Sequence, residues 1–351
     1  MGDNDKAGAA AAEGKTERGK KMFPALARAL FVVLVFTGLA YSGNMELPRV
    51  WHVISRPEMI IAPLALILVS NFFSSFRLKT LLSAKNVHVS QFTAFRWWLI
   101  GMFFNMALLG AISGDVAKAY YLLKGRPNKV ELAAVLVFDR LVGLYMVIFL
   151  AGFLSAGALG GLWSIHGTQS AIVGRLMTFA VALWLAASAA GFALMSGRIR
   201  RSALVSRVMA FMPLRSTVDT LYSAAQAYRY QPWRVIAAMV ITAVSQGAAY
   251  VGLWLLAGHL KMEGVGAVSF LVACSLSLLV NAVPVAPGGL GIGELGFGVI
   301  FLQFGMKGGV ELAMLMHALI IIISAILGGI AFLACRNGPR YDGSAVKAED
   351  G

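Results

Sequence analysis

The chemistry-bearing residues of this 351-residue chain stand in two short stretches and two apolar runs. Asn281 to Phe297 reads N-A-V-P-V-A-P-G-G-L-G-I-G-E-L-G-F. Pro284 and Pro287 remove backbone donors and interrupt any helix passing through them. Gly288, Gly289, Gly291 and Gly293 permit backbone angles that other residues avoid, and Glu294 follows where a new helix can begin. The second stretch places Asn105 ahead of Gly110, Ser113, Gly114 and Asp115. Each stretch sets an amide before a small-residue break and a carboxylate after it. In lipid, backbone groups freed at such a break need protein partners or water in a cavity, so an acidic break at membrane depth is a site candidate.

Two further runs carry charge. Asp139-Arg140 lies inside the apolar run Glu131–Leu154, and Glu311 and His317 lie inside Val310–Ala334. A charge deep in a helix costs a few kcal/mol or more on insertion scales, so it has a partner or a ligand. Adjacent helical residues point about 100° apart, so Asp139 is a poor partner for Arg140. Asp115 or Glu294 is the candidate across the bundle. Arg140 then has two readings: bidentate binding of a lipid phosphate, or an internal ion pair. Asp115 and Glu294 suit the capping of their own helix starts better than a proton-coupled step. Asn105 and Asn281 suit hydrogen bonding to freed backbone, and His317 suits a satisfied core histidine.

These residues sit in elements of one kind. Hydrophobic residues make up 59% of the chain and charged residues 13%, and the mean hydropathy is +0.76. Apolar runs of about 20 residues recur, and period-2 alternation is absent, which gives an all-α polytopic membrane protein and excludes a β-barrel. Spans are expected at Phe23–Ser42, Met59–Phe76, Glu131–Leu154, Ala171–Met195, Val235–Leu256 and Val310–Ala334. The interrupted runs Phe92–Leu123 and Val268–Phe304 are read as re-entrant hairpins, one entering from the cytoplasm and one from outside. Most of the 30 lysines and arginines then fall on the cytoplasmic side, as the positive-inside rule expects, with both termini cytoplasmic. Span–hairpin–span occurs twice with opposite entry, an inverted-topology repeat, over about 58–154 and 235–334.

Outside the bundle, residues 1–22 read as a disordered cytoplasmic tail and 335–351 as another. Residues 197–234 carry two amphipathic patterns suited to the inner leaflet, the second opening on the capping-box-like Ser216-Thr217-Val218-Asp219. The formal charge of +14 fits loops facing anionic lipid rather than nucleic acid. Cys274 and Cys335 form no metal-ligand pattern, and no nucleophile elbow or P-loop is present, so no cofactor or metal is expected.

Several motifs resemble those of one family. Pro284 to Glu294 (P-V-A-P-G-G-L-G-I-G-E) resembles the late motif of the lysylphosphatidylglycerol synthase transmembrane-region family of flippase-like proteins. Ser113-Gly114-Asp115 with Ala119-Tyr120 and Leu122-Leu123 resembles its Gly-Asp motif. Val137 to Leu144 (V-F-D-R-L-V-G-L) resembles its acidic-Arg-Leu motif, and Arg77-Leu78 with Leu81-Leu82 its second-span ending. The resemblance covers roughly Ala25–Leu333. It implies an inner-membrane protein of lipid translocation, with an anionic phospholipid or lipid-linked intermediate as partner. The expected head-group and cavity residues are Arg77, Asn105, Asp115, Asp139, Arg140, Asn281, Glu294 and His317. Members fused to a soluble aminoacyltransferase domain make and flip aminoacylated phosphatidylglycerol. The apolar region here gives way to a short tail after Leu333, so no synthase activity is expected. His317 stands where members often carry arginine, so a two-arginine phosphate clamp is not carried over. The resulting expectation is a lipid flippase. The alternatives are a membrane partner that docks a lipid-modifying synthase or glycosyltransferase through 197–234, and last an intramembrane enzyme using Asp115 and Glu294; a lipid-modifying enzyme or a second copy of the chain is the expected protein partner.

Overall fold

The computed structural model describes residues 47–107, 113–126, 128–162, 171–196, 226, 228–264, 266–282 and 291–337. The expected tail at 1–22, the expected first span at 23–42, residues 197–225, Pro284, Pro287, Gly288 and Gly289, and 338–351 of the expected second tail lie outside them, whereas residues 335–337 continue the last helix. Every described element is a helix.

The order begins with a short helix, α1 (Leu47–Ile54), which hydropathy did not reveal because eight residues are too few to register as a span. α2 (Pro57–Ser83) starts on Pro57, whose fixed φ suits the first helical turn. α3 (Gln91–Ala107) and α4 (Ser113–Leu123) form the first interrupted pair. α5 (Lys129–Leu159) and α6 (Ala171–Ser196) complete the first half. α7 (Pro232–His259) opens the second half. α8 (Ala267–Asn281) and α9 (Ile292–Gln303) form the second interrupted pair. The last span runs through α10 (Gly309–Ile323), a π-helical turn at Ser324–Gly328, and α11 (Gly329–Asn337).

Five helices are long and apolar enough to cross a membrane: α2, α5, α6, α7 and the last span. They coincide with the five expected spans inside the described region. Their ends reach beyond the apolar cores because polar turns continue the helix past the hydrocarbon. α8 and α9, at 15 and 12 residues, are about 22 and 18 Å long, short of the roughly 30 Å hydrocarbon layer. The chain is an all-α polytopic membrane protein.

Packing crosses between the halves. α2 and α7 make the most extensive helix–helix contact. Gly252 brings α7 close to the Pro63 carbonyl of α2, and the Ser245 hydroxyl lies 3.1 Å from Ser70 Oγ and 2.9 Å from Ser74 Oγ. Small residues and interhelical hydroxyl bonds do this work in lipid, where apolar burial gives little drive. α3 packs on the π-helical turn and α11, while α8 packs on α5, so the first arm of each interrupted pair rests on the long span of the other half. Gly328 in that turn faces the Leu99 carbonyl of α3, where a Cβ would stand only 2.6 Å away. The π-turn and its glycine let the last span meet α3 backbone to backbone.

Candidate functional site

At the first break, Asn105 Oδ1 accepts the Gly114 backbone N–H at 2.7 Å, and the Ser113 hydroxyl donates to the Phe104 carbonyl at 3.0 Å. The amide of α3 therefore satisfies a donor freed where α4 begins. A side chain at Gly114 would collide with the Gly101 carbonyl, so glycine is what lets the two arms touch.

The carboxylate after this break is spent on cations. Asp115 Oδ1 meets Lys118 Nζ at 2.6 Å, and Asp115 Oδ2 accepts from Arg140 Nη1 at 2.7 Å. Lys118 is buried, with its ammonium 4.5 Å from the centre of the Trp98 ring. Capping of its own helix is thus not the role the contacts give Asp115; two cations outcompete the weaker pull of backbone donors. Arg140 keeps half of its side chain exposed, and its Nε and Nη2 have no partner among the described residues.

One residue earlier, Asp139 points the other way and is buried. Its carboxylate accepts from Arg77 Nε at 2.7 Å and Nη2 at 3.2 Å, a two-pronged pair. Arg77 Nη1 reaches Thr242 of α7 at 3.5 Å, and Gly143 leaves room for the guanidinium, which stands 3.0 Å from where a Cβ would be. Arg77 and Asp139 therefore do not line open space; they hold α2, α5 and α7 together. Beside them, the Phe138 ring stacks at 4.3 Å on Tyr228, which is fully buried and donates to the Leu81 carbonyl at 3.0 Å.

The carboxylate after the second break is enclosed. Gly291 has φ +88°, a left-handed backbone suited to glycine, and its N–H donates to Glu294 Oε2 at 2.6 Å. Glu294 thus closes its own helix start, as the sequence suggested. Its other oxygen lies 2.8 Å from His317 Nδ1, and since a carboxylate only accepts, Nδ1 carries the hydrogen. Both side chains are buried, Glu294 fully, so neither lines a cavity. Gly293 fits between them and α8: a Cβ there would meet Asn281 Oδ1 at 2.8 Å and His317 Cε1 at 2.9 Å. Asn281 does not repeat the bond made by Asn105: among the described residues its buried Oδ1 has no hydrogen-bond partner.

The structure thus brings Asp115, Lys118 and Arg140 into one cluster of two cations and one anion, and sets the Arg77–Asp139 bridge beside it, with Arg77 and Lys118 both over the Trp98 ring. Glu294, His317 and Asn281 form a separate group at the other break. Sequence reasoning left out Lys118, Trp98, Thr242, Gly143 and Tyr228. Only Lys118 carried a usable signal, as it follows Asp115 by three residues on a helix face.

Residues 25–329 match the family described as the lysylphosphatidylglycerol synthase TM region. The chain belongs to that family. No curated protein and no solved structure matches it. In this member of the lysylphosphatidylglycerol synthase TM region family, the matched region contains both breaks, both acid–base pairs and the Arg77–Asp139 bridge. What the cluster can do chemically follows from its charge. With one cation in excess and one guanidinium edge free, it can receive a single anionic oxygen pair such as a phosphate.

Proposed function

We propose that this protein moves an anionic lipid, a phospholipid or a polyprenyl-phosphate-linked lipid, across the cytoplasmic membrane, and that it is a transporter rather than an enzyme. The observation that carries the reading is Arg140: half-exposed, held on one side by Asp115, and open on Nε and Nη2. By helical rise it lies about 16 Å along α5 from Lys129, deep enough to stand within the bilayer. A charge at that depth with no second partner among the described residues suits a head-group site. Asp115 orients the guanidinium and Lys118 offsets the Asp115 charge, so the free edge remains attractive to phosphate.

Both short pairs, α3/α4 and α8/α9, are read as re-entrant hairpins that enter from opposite sides. The reciprocal packing of each first arm on the other half's long span supports an inverted repeat. Rocking of one half against the other would then expose Arg140 first to one leaflet and then to the other. Both termini are placed on the cytoplasmic side, because that orientation gathers most of the lysines and arginines there.

Purified protein reconstituted in liposomes with a fluorescent phosphatidylglycerol, and separately with a polyprenyl phosphate, tests the reading. Lipid exchange between leaflets is expected to fall at least tenfold in Arg140→Ala. Exchange no faster than in empty liposomes with either lipid would overturn it.

A further inference from the structure

A groove of about 470 Å³ opens between α5, α6 and α7. Leu141, Leu144 and Ile148 of α5, Ala187 and Gly191 of α6, and Met239 of α7 line it. A single polar contact interrupts it, Tyr145 Oη to Ser188 Oγ at 3.1 Å, and the two hydroxyls satisfy each other. Leu144 and Phe192 at its rim are exposed, so it opens sideways toward the bilayer. A Cβ on Gly191 would meet nothing within 4 Å, so the groove is empty there. The volume lies within the range of small-molecule sites, while a helix, about 10 Å across, does not fit such a slot.

Arg140 does not line this groove but stands one helical turn from Leu144, which does. Leu144 is four residues further along α5, on nearly the same face and about 6 Å up the helix. Leu141, the next residue, turns into the groove. A cationic edge therefore lies within one helical turn of an apolar slot. We propose that the groove holds a hydrocarbon tail of the same anionic lipid whose phosphate meets Arg140; the inference rests on the head-group reading above.

The physics of the bilayer makes the idea sharp. A tail in lipid gains little by moving from its neighbours to leucine side chains, because both are apolar. The groove by itself therefore selects nothing. A tail is retained there only if its head group is held at the rim, so occupancy depends on a negative charge and on Arg140.

The probe is a lipid with a photoreactive diazirine at mid-tail, in vesicles with the full-length protein. Three head types are compared: phosphatidylglycerol, a polyprenyl phosphate with an equivalent photoreactive tail, and uncharged diacylglycerol. Cross-linked residues are mapped by mass spectrometry. At least one phosphate-bearing probe is expected to label Leu144, Ile148, Ala187 or Gly191 about tenfold more than diacylglycerol does. The probe that does so names the lipid class. Labelling should fall to the diacylglycerol level in Arg140→Ala, and in Ala187→Trp or Gly191→Leu, which fill the slot. Equal labelling by charged and uncharged probes, or groove labelling that survives Arg140→Ala, overturns the proposal. Lipid movement that depends on Arg140 without groove labelling would sink this inference and spare the translocase. Groove labelling lost in Arg140→Ala, in a protein that moves no lipid, would sustain the tail site and sink the translocase.

Discussion

Asp115–Arg140 and Glu294–His317 are assembled alike, yet they live in different surroundings. In each, a carboxylate directly follows the glycine that packs against an asparagine of the preceding arm, and it reaches a base on the next long span. The first pair is open: Arg140 is half exposed and Asp115 about a third. The second is closed, with His317 at 7% and Glu294 at 0%. The bases differ to match. Arginine remains charged and offers five donors, so it can serve two anions at once. Histidine offers fewer donors and fits a dry pocket in which a single carboxylate satisfies it. One local design thus leaves a guanidinium edge accessible at one break and encloses the same kind of acid at the other.

If that division of labour holds, the largest loss of stability comes from the sealed bridges rather than from the open pair. Arg77→Ala leaves the Asp139 carboxylate buried and unpaired, which costs about 3–5 kcal/mol. Thermal unfolding in detergent should show it as a large fall in Tm. The Arg77→Ala/Asp139→Leu double variant should regain much of the loss, because no charge is then stranded. Recovery of none of it would mean that the two residues do not act as a pair.

Glu294→Ala comes next. It strips the Gly291 N–H and His317 Nδ1 of their shared acceptor, and an unsatisfied buried donor costs about 1–3 kcal/mol. Unfolding measurements should place it between Arg77→Ala and the glycine variants. A drop in lipid movement without a drop in stability would instead move Glu294 from the architectural to the functional side of the comparison.

The two glycines give a closer test of the likeness. Gly114→Ala drives a methyl into the Gly101 carbonyl, which is backbone of the neighbouring arm and cannot swing away. Gly293→Ala meets the ends of the Asn281 and His317 side chains, which can turn aside. Overpacking costs about 1–3 kcal/mol, with Gly114→Ala expected near the top of that range and Gly293→Ala near the bottom. Equal losses would show that the second break is as rigid as the first.

Much of this frame is legible in the sequence, and the reason is physical. A span is written over about 20 consecutive apolar residues, so α2, α5, α6, α7 and the last span register without any knowledge of their neighbours. A break is written locally as well, in Ser113-Gly114-Asp115 and in Gly291-Ile292-Gly293-Glu294. Pairing is not local. Asp139 finds Arg77 across 62 positions, and nothing in the run around either residue indicates the other. Exposure is also tertiary: Glu294 lies beside the fully buried Phe297 and Phe301, whereas no such cover closes over Arg140. The equal look of the two acidic breaks therefore concealed the property that separates them.

The connector between the halves attaches to the first of them. Tyr228 reaches Phe138 and the Leu81 carbonyl, directly beside the Arg77–Asp139 bridge. Burial, aided by the Asp139 and Glu131 carboxylates, pushes its phenol pKa well above the ordinary value. A raised pKa means that the stability tied to the neutral phenol is whole below about pH 10 and is lost as pH rises beyond it. Tyr228→Phe should cost about 1 kcal/mol at neutral pH through the lost hydrogen bond, and should lessen the alkaline loss of stability. An unchanged pH profile would place the phenol in water and detach the connector from the bridge.

The smallest effect on stability is expected at Arg140, the residue on which the proposed translocation rests. Arg140 shares one exposed hydrogen bond with Asp115, and exposed ion pairs contribute between zero and about 1 kcal/mol. Asp115 retains Lys118 when the guanidinium is gone, so no carboxylate is stranded. Arg140→Ala should therefore unfold within a few degrees of the unaltered protein while losing lipid movement. His317→Ala is its counterpart: it opens a void beside Glu294 and leaves that buried carboxylate with the Gly291 donor alone. Its loss of stability should exceed that of Arg140→Ala, although the histidine is the weaker base. If the order is reversed, the open pair is the structural one, and the division between a wet ligand site and a dry joint falls on the opposite sides.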